Sequence, residues 1–500
     1  MSDENPYIPQ ELLKMLELPY GYSILLKGDG GVGKSTLAFE LLVKSKGKNA
    51  TYLSTRVAPA QLFEHFPWVD TNVRENIAVF DATQAGVTVT NPLHDEQLAL
   101  KFAGMPDLLR SIVDMADHAK GKLLVCIDSW DAIQLMFEHL QAEKAVDRPQ
   151  MTESLNFMYN VFMSMVRQKN IKLILVAENA SQMDYLVDAI VELRREFVTK
   201  EKMIRVAEIK KSRGIRITNT AYVFSLEDGR FKSFMPWDVY LVHAFKQIPF
   251  NLVFEETKLK SVFDALLSEK NSLQFGTIAL TSNAYWLFDL WIENFARIQL
   301  ARNEMLTFTP PSTFSIPRFK AKMLAFLDEL KLEPDRYEKN IKIFVSEPID
   351  KEQAGGNVHE IPFGSKDFTD EGTVATFIHT FAGMLKAWAN EGGFKHAINL
   401  GLMEPYESHI TSPGVARTAI FSTIHKFSVL SNATFIFLTY IDDPLIKDLF
   451  KASSFFFEMS FLHGTPIVCV VSPQIPNYYG LLVSPDDSSN RKNFVLYPIV

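Results

Sequence analysis

Short apolar runs bounded by Gly, Pro or charged residues alternate along this chain with segments whose apolar positions recur at helical spacing. Tyr22-Ser23-Ile24-Leu25-Leu26 predicts a buried strand, and Thr36-Leu37-Ala38-Phe39-Glu40-Leu41-Leu42 predicts a helix soon after it. Further strands are expected at Asn49 to Arg56, Lys122 to Asp128 and Leu173 to Ala177. Strands separated by helix-length segments indicate an α/β architecture. No apolar run reaches the roughly 18 residues of a spanning helix, so membrane insertion is not expected.

With 500 residues, 47% of them hydrophobic, the chain exceeds what one core organises and predicts more than one domain. A formal net charge of -8 and a pI near 5.8 do not suit a protein that grips a polyanion over a wide surface. Cys126 and Cys469 are far apart in apolar runs, which suggests neither a disulfide framework nor a metal site. Together with the polar, acidic N-terminus MSDENPYIPQ, this predicts a cytoplasmic protein. Phe435 to Phe437 and Phe455 to Phe457 are expected to pack a core rather than to stack nucleic-acid bases.

Chemistry concentrates in Gly28-Asp29-Gly30-Gly31-Val32-Gly33-Lys34-Ser35, followed by Thr36, which fits the spacing G-x-x-x-x-G-K-[ST] between a strand and a helix. The glycines let consecutive N–H groups and the helix N-terminus face phosphate. Lys34 would neutralise β- and γ-phosphate oxygens, and Ser35 would ligate Mg²⁺. A second carboxylate is needed near the metal. Asp128, ending Leu123-Leu124-Val125-Cys126-Ile127, is the candidate. ATP and Mg²⁺ are therefore the expected cofactors.

The strand at Asn49 to Arg56 should end beside the γ-phosphate, where hydrolysis needs a carboxylate to orient water. Thr55 and Arg56 stand there instead. Asp131 and Glu178 are the nearest substitutes by topology, and each could equally be a solvated loop acid.

The order of these pieces resembles the KaiC branch of the RecA superfamily. Leu18-Pro19-Tyr20-Gly21 is similar to its entry segment, Thr51 to Thr55 to its second core strand, and Leu186 to Leu193 to a later one. Lys210-Lys211-Ser212-Arg213-Gly214 looks like its K-x-R-G turn, and Ala221 to Leu226 with Asp228-Gly229 like its closing hairpin. The Ser-Thr-Arg strand end is most similar to the P-loop domain of the archaeal gas-vesicle regulator GvpD. The resemblance implies a homo-oligomer, usually a ring, in which Lys211 and Arg213 reach a neighbour's nucleotide; a solvated basic turn is the alternative.

The strand pattern of residues 22–225 recurs in the C-terminal half. Gly276 to Leu280, Met305 to Thr309, Asn340 to Phe344, Ala397 to Leu402, Thr434 to Leu438, Ser453 to Glu458 and Tyr479 to Ser484 follow in the same order. Thr281-Ser282-Asn283-Ala284-Tyr285-Trp286 takes the place of the P-loop without its glycines or lysine, with Tyr285 and Trp286 expected to fill the phosphate space. No Asp ends Ala397 to Leu402.

The expected organisation is a RecA-like P-loop domain at 1–240, a connector at 241–275, helical around Leu259 to Glu269, and a degenerate RecA-like domain at 276–500. The expected function is a nucleotide-dependent regulator with slow ATP hydrolysis. Two other readings remain: a recombinase-like DNA-dependent ATPase, against which the acidic pI argues, and an ATP-binding scaffold without turnover.

Overall fold

The structure, a computed structural model, describes residues 7–44, 49–69, 74, 77–81, 107–118, 123–143, 148–179, 181–198, 203–236, 250–253, 275–281, 287–311, 313–345, 356–360, 371–395, 397–402, 433–443, 446–472, 478–485 and 492–499. The chain divides into two compact units, Met1–Pro236 and Trp237–Pro498.

The first unit is built on β1 (Tyr22–Lys27), β2 (Asn49–Ser54), β3 (Ile77–Asp81), β4 (Leu123–Asp128), β5 (Lys172–Ala177), β6 (Ala189–Phe197), β7 (Met203–Ser212), β8 (Ala221–Ser225) and β9 (Lys232–Ser233). They form one sheet in the order β3-β2-β4-β5-β1-β6-β7-β8-β9. The strands up to β6 are parallel, and β7 to β9 extend the sheet antiparallel. Central parallel strands need cover on both faces, and alternate residues of β1 supply it. Ile24 and Leu26 join one core with the helices α1 (Gln10–Glu17), α2 (Lys34–Lys44) and α3 (Pro59–His65). Leu25 joins the opposite core with α4 (Asp107–His118), α5 (Trp130–Glu143) and α6 (Arg148–Gln168).

Polar groups inside this unit are tied to specific partners. The Asp188 carboxylate accepts from the Ser23 N–H at 3.1 Å and the Ser23 hydroxyl at 2.8 Å, locking the approach to β6 against β1. Glu40 on α2, 1% exposed, pairs with Arg230 at 2.9 Å. The Arg230 guanidinium lies over the Trp68 ring, whose Nε1 donates to the Gly229 carbonyl at 3.0 Å. Buried Glu11 on α1 accepts from the Tyr222 hydroxyl at 2.7 Å, the Thr218 N–H at 3.2 Å and the Thr218 hydroxyl. Burial alone would raise its pKa, but these hydrogen bonds together outweigh burial and hold it below its ordinary value.

The second unit carries β10 (Phe250–Val253), β11 (Phe275–Leu280), β12 (Met305–Phe308), β13 (Ile341–Val345), β14 (Val358–Glu360), β15 (Ala397–Leu402), β16 (Ala433–Tyr440), β17 (Phe455–Leu462), β18 (Thr465–Ser472), β19 (Tyr478–Pro485) and β20 (Lys492–Pro498). Read from one edge, its order is β14-β13-β12-β15-β16-β11-β17-β18-β19-β20-β10. With the edge strands β14 and β10 set aside, this is the order of the first sheet strand for strand. Each of the seven sequence correspondences falls on an equivalent pair.

The agreement extends to local detail. β11 is paired in parallel on both edges, as β1 is. The β6–β7 ladder has a register shift at Ile190/Val191, and the β17–β18 ladder has one at Phe456/Phe457. The Thr55 N–H donates to the Asp128 carbonyl at 2.8 Å, and the Thr309 N–H donates to the Leu400 carbonyl at 3.0 Å. The chain is thus α/β with two RecA-like units, the second without a carboxylate at Leu400 or Leu402.

Phe435, Phe437 and Phe455 to Phe457 are all buried. Within the expected connector, β10 is instead an edge strand of the second sheet, parallel to β20. The expected helix at Leu259 to Glu269 and the Tyr285 and Trp286 side chains lie outside the described residues. Both cysteines are free and buried. Among the described residues, no helix is long and apolar enough to cross a membrane.

Because the folded pKa of Glu11 is lowered, its contribution is complete above the unfolded value, about pH 4.3, and is lost as pH falls through the folded value. Glu11→Gln should therefore lower Tm at neutral pH, equivalent to about 1–3 kcal/mol. The gap to wild type should close in acid, as thermal melts between pH 7 and pH 3 would measure.

Candidate functional site

β1 ends at Lys27 in the middle of the first sheet, and the chain turns through Gly28 to Gly33 into α2. Two glycines are demanded by this turn. Gly28 has φ +144°, and a Cβ there would lie 2.0 Å from the Leu193 carbonyl oxygen of β6. Gly33 has φ +110°, with Leu226 side-chain carbons 3.0 Å from its would-be Cβ. Val32 is buried beneath the loop, and the Arg195 guanidinium donates to the Gly31 carbonyl at 3.2 Å.

Lys34 opens α2, and its ammonium reaches back over the loop to donate to the Gly28 and Asp29 carbonyls at 2.6 and 2.7 Å. Burial lowers its pKa, opposed by the charges of Glu178 and Asp128. The ammonium thus stands across the loop's mouth with replaceable partners. A polyphosphate in the loop would meet it there.

Asp128 ends β4 two strands from β1. Tyr52, on β2 beside it, donates its hydroxyl to Asp128 Oδ2 at 2.5 Å, with the Ser35 side chain nearby. Burial, and then the Asp128 charge, push the Tyr52 pKa well above its ordinary value, so it stays a donor. Ser35 and Asp128 thus both neighbour this hydroxyl. The Ser35 hydroxyl and the Asp128 carboxylate are the oxygen donors that would hold a divalent cation here. A cation there would neutralise phosphate charge. Among the described residues, no group of three or more His, Cys, Asp or Glu side chains forms a metal site.

Thr55 has a structural task where a catalytic carboxylate was expected. Its hydroxyl donates to the Asp128 carbonyl at 3.1 Å and accepts from the Ser129 N–H at 2.8 Å. Arg56 continues outward and donates to Glu178 Oε1 at 3.0 Å. The hydrogen bond from Arg56, with its charge, holds Glu178 below the ordinary carboxylate range. Both side chains are exposed, so the pair contributes at most about 1 kcal/mol. Of the two candidate water-orienting acids, Asp131 is engaged, since its Oδ2 accepts from the Glu178 N–H at 2.8 Å.

These groups line one cavity of about 270 Å³, with Thr36, His65, Asp128, Asp131 and Glu178 among its polar lining and Leu62, Phe66 and Leu226 among its apolar lining. Lys211 and Arg213 are not among its lining residues. Lys211 donates to the Asp184 carbonyl at 2.5 Å, and Arg213 to the Tyr185 carbonyl at 3.3 Å while lying 3.5 Å from Asp188 Oδ1. Within this chain both are held away from the loop. Sequence reasoning missed Tyr52, Arg195, Leu226 and the α3 wall. Of these, only Tyr52 left a signal, as a hydroxyl in a buried strand next to the one ending in Asp128.

Gly28→Ala should abolish tight nucleotide binding, because a methyl 2.0 Å from a backbone oxygen forces the loop off β6. The affinity for a fluorescent nucleotide should drop at least about 100-fold, while circular dichroism stays that of a folded protein.

Comparison with known proteins finds similarity over the part of the chain that holds this site. Residues 12–209 match the model of the GvpD gas vesicle protein P-loop domain. Two relatives from Halobacterium salinarum, Protein GvpD2 and Protein GvpD1, are each 28% identical to this chain, over 236 and 239 residues. These alignments cover 46% and 47% of this chain, and 45% and 42% of the relatives, so the chain spans less than half the length of the curated proteins it matches. The match takes in the P-loop, Asp128 and Glu178, and the sheet order supplies the RecA-like frame around them. Residues 12–209 are therefore a RecA-like P-loop domain similar to that of the GvpD gas vesicle proteins.

Proposed function

We propose that the protein is an ATP- and Mg²⁺-dependent regulator whose first unit binds nucleotide and whose second offers a partner surface without a nucleotide site of its own. The observation that carries this reading is the Asp128 carboxylate, fixed by the Tyr52 hydroxyl, lining one cavity with Ser35 and with a loop already spanned by the Lys34 ammonium. The cavity's fixed charges support the need for a divalent cation. Asp128, Asp131 and Glu178 set three carboxylates against two cations, Lys34 and Arg56, so a bare polyphosphate would enter a net negative mouth.

In this reading Gly28 to Gly33 give N–H groups to the phosphates, Lys34 spans the β- and γ-phosphates, and Ser35 with Asp128 holds the cation. Thr36 follows Ser35 in the first turn of α2 and lines the same cavity. The base would rest against the apolar side chains of Leu62, Phe66 and Leu226 in the lining. Hydrolysis is slow, with Glu178 orienting water. A regulatory role follows from the resemblance to GvpD, as does an oligomer in which Lys211 and Arg213 act on a neighbour after leaving their carbonyl partners.

A second reading, an ATP-binding scaffold without turnover, is favoured by one observation. In place of a carboxylate that could take a proton from water, the strand end carries Thr55, whose one proton is donated to the Asp128 carbonyl and whose oxygen accepts from the Ser129 N–H.

Wild type and Lys34→Ala separate these readings. ATP with Mg²⁺ at 100 times its Kd should stabilise wild type by about 2.7 kcal/mol and leave Lys34→Ala unshifted. Phosphate release above the Lys34→Ala control establishes the ATPase; stabilisation without release establishes the scaffold. Stimulation by single-stranded DNA with steep salt dependence would move the protein to the recombinase class. Light scattering with ATP tests the oligomer, and a clean monomer would remove Lys211 and Arg213 from the site.

A further inference from the structure

Arg56 and Glu178 face each other across the end of β4. They follow β2 and β5, the two neighbours of β4 in the sheet, so their ion pair bridges the mouth of the cavity above Asp128. The bridge stands directly at the P-loop. A Cβ on Gly30 would lie 3.9 Å from Glu178 Oε1, and the charges of Glu178 and Arg56 are both felt by the Lys34 ammonium. Neither side chain has a part in gripping the inner phosphates.

We propose that the Arg56–Glu178 pair reads the terminal phosphate in cis: a γ-phosphate draws the Arg56 guanidinium off Glu178, and the site thereby prefers nucleoside triphosphate to diphosphate. The inference rests on the reading of the loop as a nucleotide site. A chain of phosphates held by the loop and Lys34 grows toward this bridge, and only the third phosphate reaches it. The guanidinium then exchanges a singly charged carboxylate for a more highly charged, fork-compatible group.

Three observations favour the exchange. The pair is solvent-exposed, with side chains 53% and 45% accessible, so water and salt already weaken it. The Glu178 N–H is held by Asp131 at 2.8 Å, so the end of β5 stays in place while the carboxylate is released from the guanidinium. Thr55, immediately before Arg56, is pinned to Asp128 and Ser129, so the guanidinium swings from a fixed base. With a diphosphate the pair remains closed, and Arg56 contributes nothing to affinity.

The test is equilibrium binding of ADP and of a non-hydrolysable ATP analogue, each with Mg²⁺, to the full chain and its variants. Arg56→Gln should weaken the ATP analogue by about tenfold or more and leave ADP within about twofold of wild type. Glu178→Gln, which frees the guanidinium beforehand, should tighten the ATP analogue and leave ADP unchanged. Arg56→Lys should fall between wild type and Arg56→Gln, because it keeps the charge and loses the fork. Equal weakening of both nucleotides by Arg56→Gln, or no weakening of either, overturns the proposal. Arg56 is exposed, so thermal melts of the variants should match wild type. If wild type binds neither nucleotide, the reading of the P-loop falls, and this inference falls with it.

Discussion

β1 is hydrogen-bonded in parallel along both edges, to β5 from Tyr22 to Lys27 and to β6 from Ile24 to Lys27, and this double pairing decides where the chain can leave the sheet. With both edges occupied, Gly28 must turn over the top. Neighbouring strand ends then supply the surroundings of the turn: Leu193 and Arg195 from β6 on one side, Glu178 after β5 on the other. Asp128 arrives one strand further on, and Tyr52 one beyond that. The loop's chemistry is therefore a property of strand order as much as of its own residues, because the fold presents ligands at the ends of its parallel strands.

The second unit makes that separation visible. It keeps the strand order, the doubly paired central strand, the irregularity in the following hairpin and a threonine N–H capping the neighbouring strand. It has lost the chemistry: the sequence after β11 lacks the glycines and lysine, and β15 offers Leu400 and Leu402 where β4 has Asp128. Backbone topology is sustained by many buried apolar contacts, each replaceable by another of similar size. A phosphate site depends on a few residues at fixed spacing and disappears once they change.

The same contrast explains what the sequence made legible. The P-loop was readable because its function requires contiguous residues, and Asp128 because a buried strand ending in an acid is a local pattern. The seven repeated strands were readable as a succession of apolar runs, and the topology follows them. Arg195 was not, since its partner lies 164 residues away and nothing local encodes such a meeting; Tyr52, 76 residues from its partner, left only a hydroxyl in a buried strand. Thr55 was noticed only as the absence of an acid. Its task, holding both sides of the Asp128–Ser129 peptide, depends on β2 lying beside β4. Lys211 and Arg213 carry the K-x-R spacing, yet the carbonyls that hold them belong to a turn about 27 residues upstream.

The Glu40 carboxylate has a mechanical meaning. It sits one and a half turns into α2, nearly sealed from water, and its cation comes from Arg230 in the closing hairpin, where Trp68 shields that cation and grips the neighbouring carbonyl. Stranding a buried carboxylate without its partner costs about 3–5 kcal/mol. The helix that follows the loop cannot tilt alone. It acts as one arm of a strut whose other arm is the hairpin, so a displacement begun at the phosphates would emerge at the far rim of the sheet, along residues that never touch the ligand.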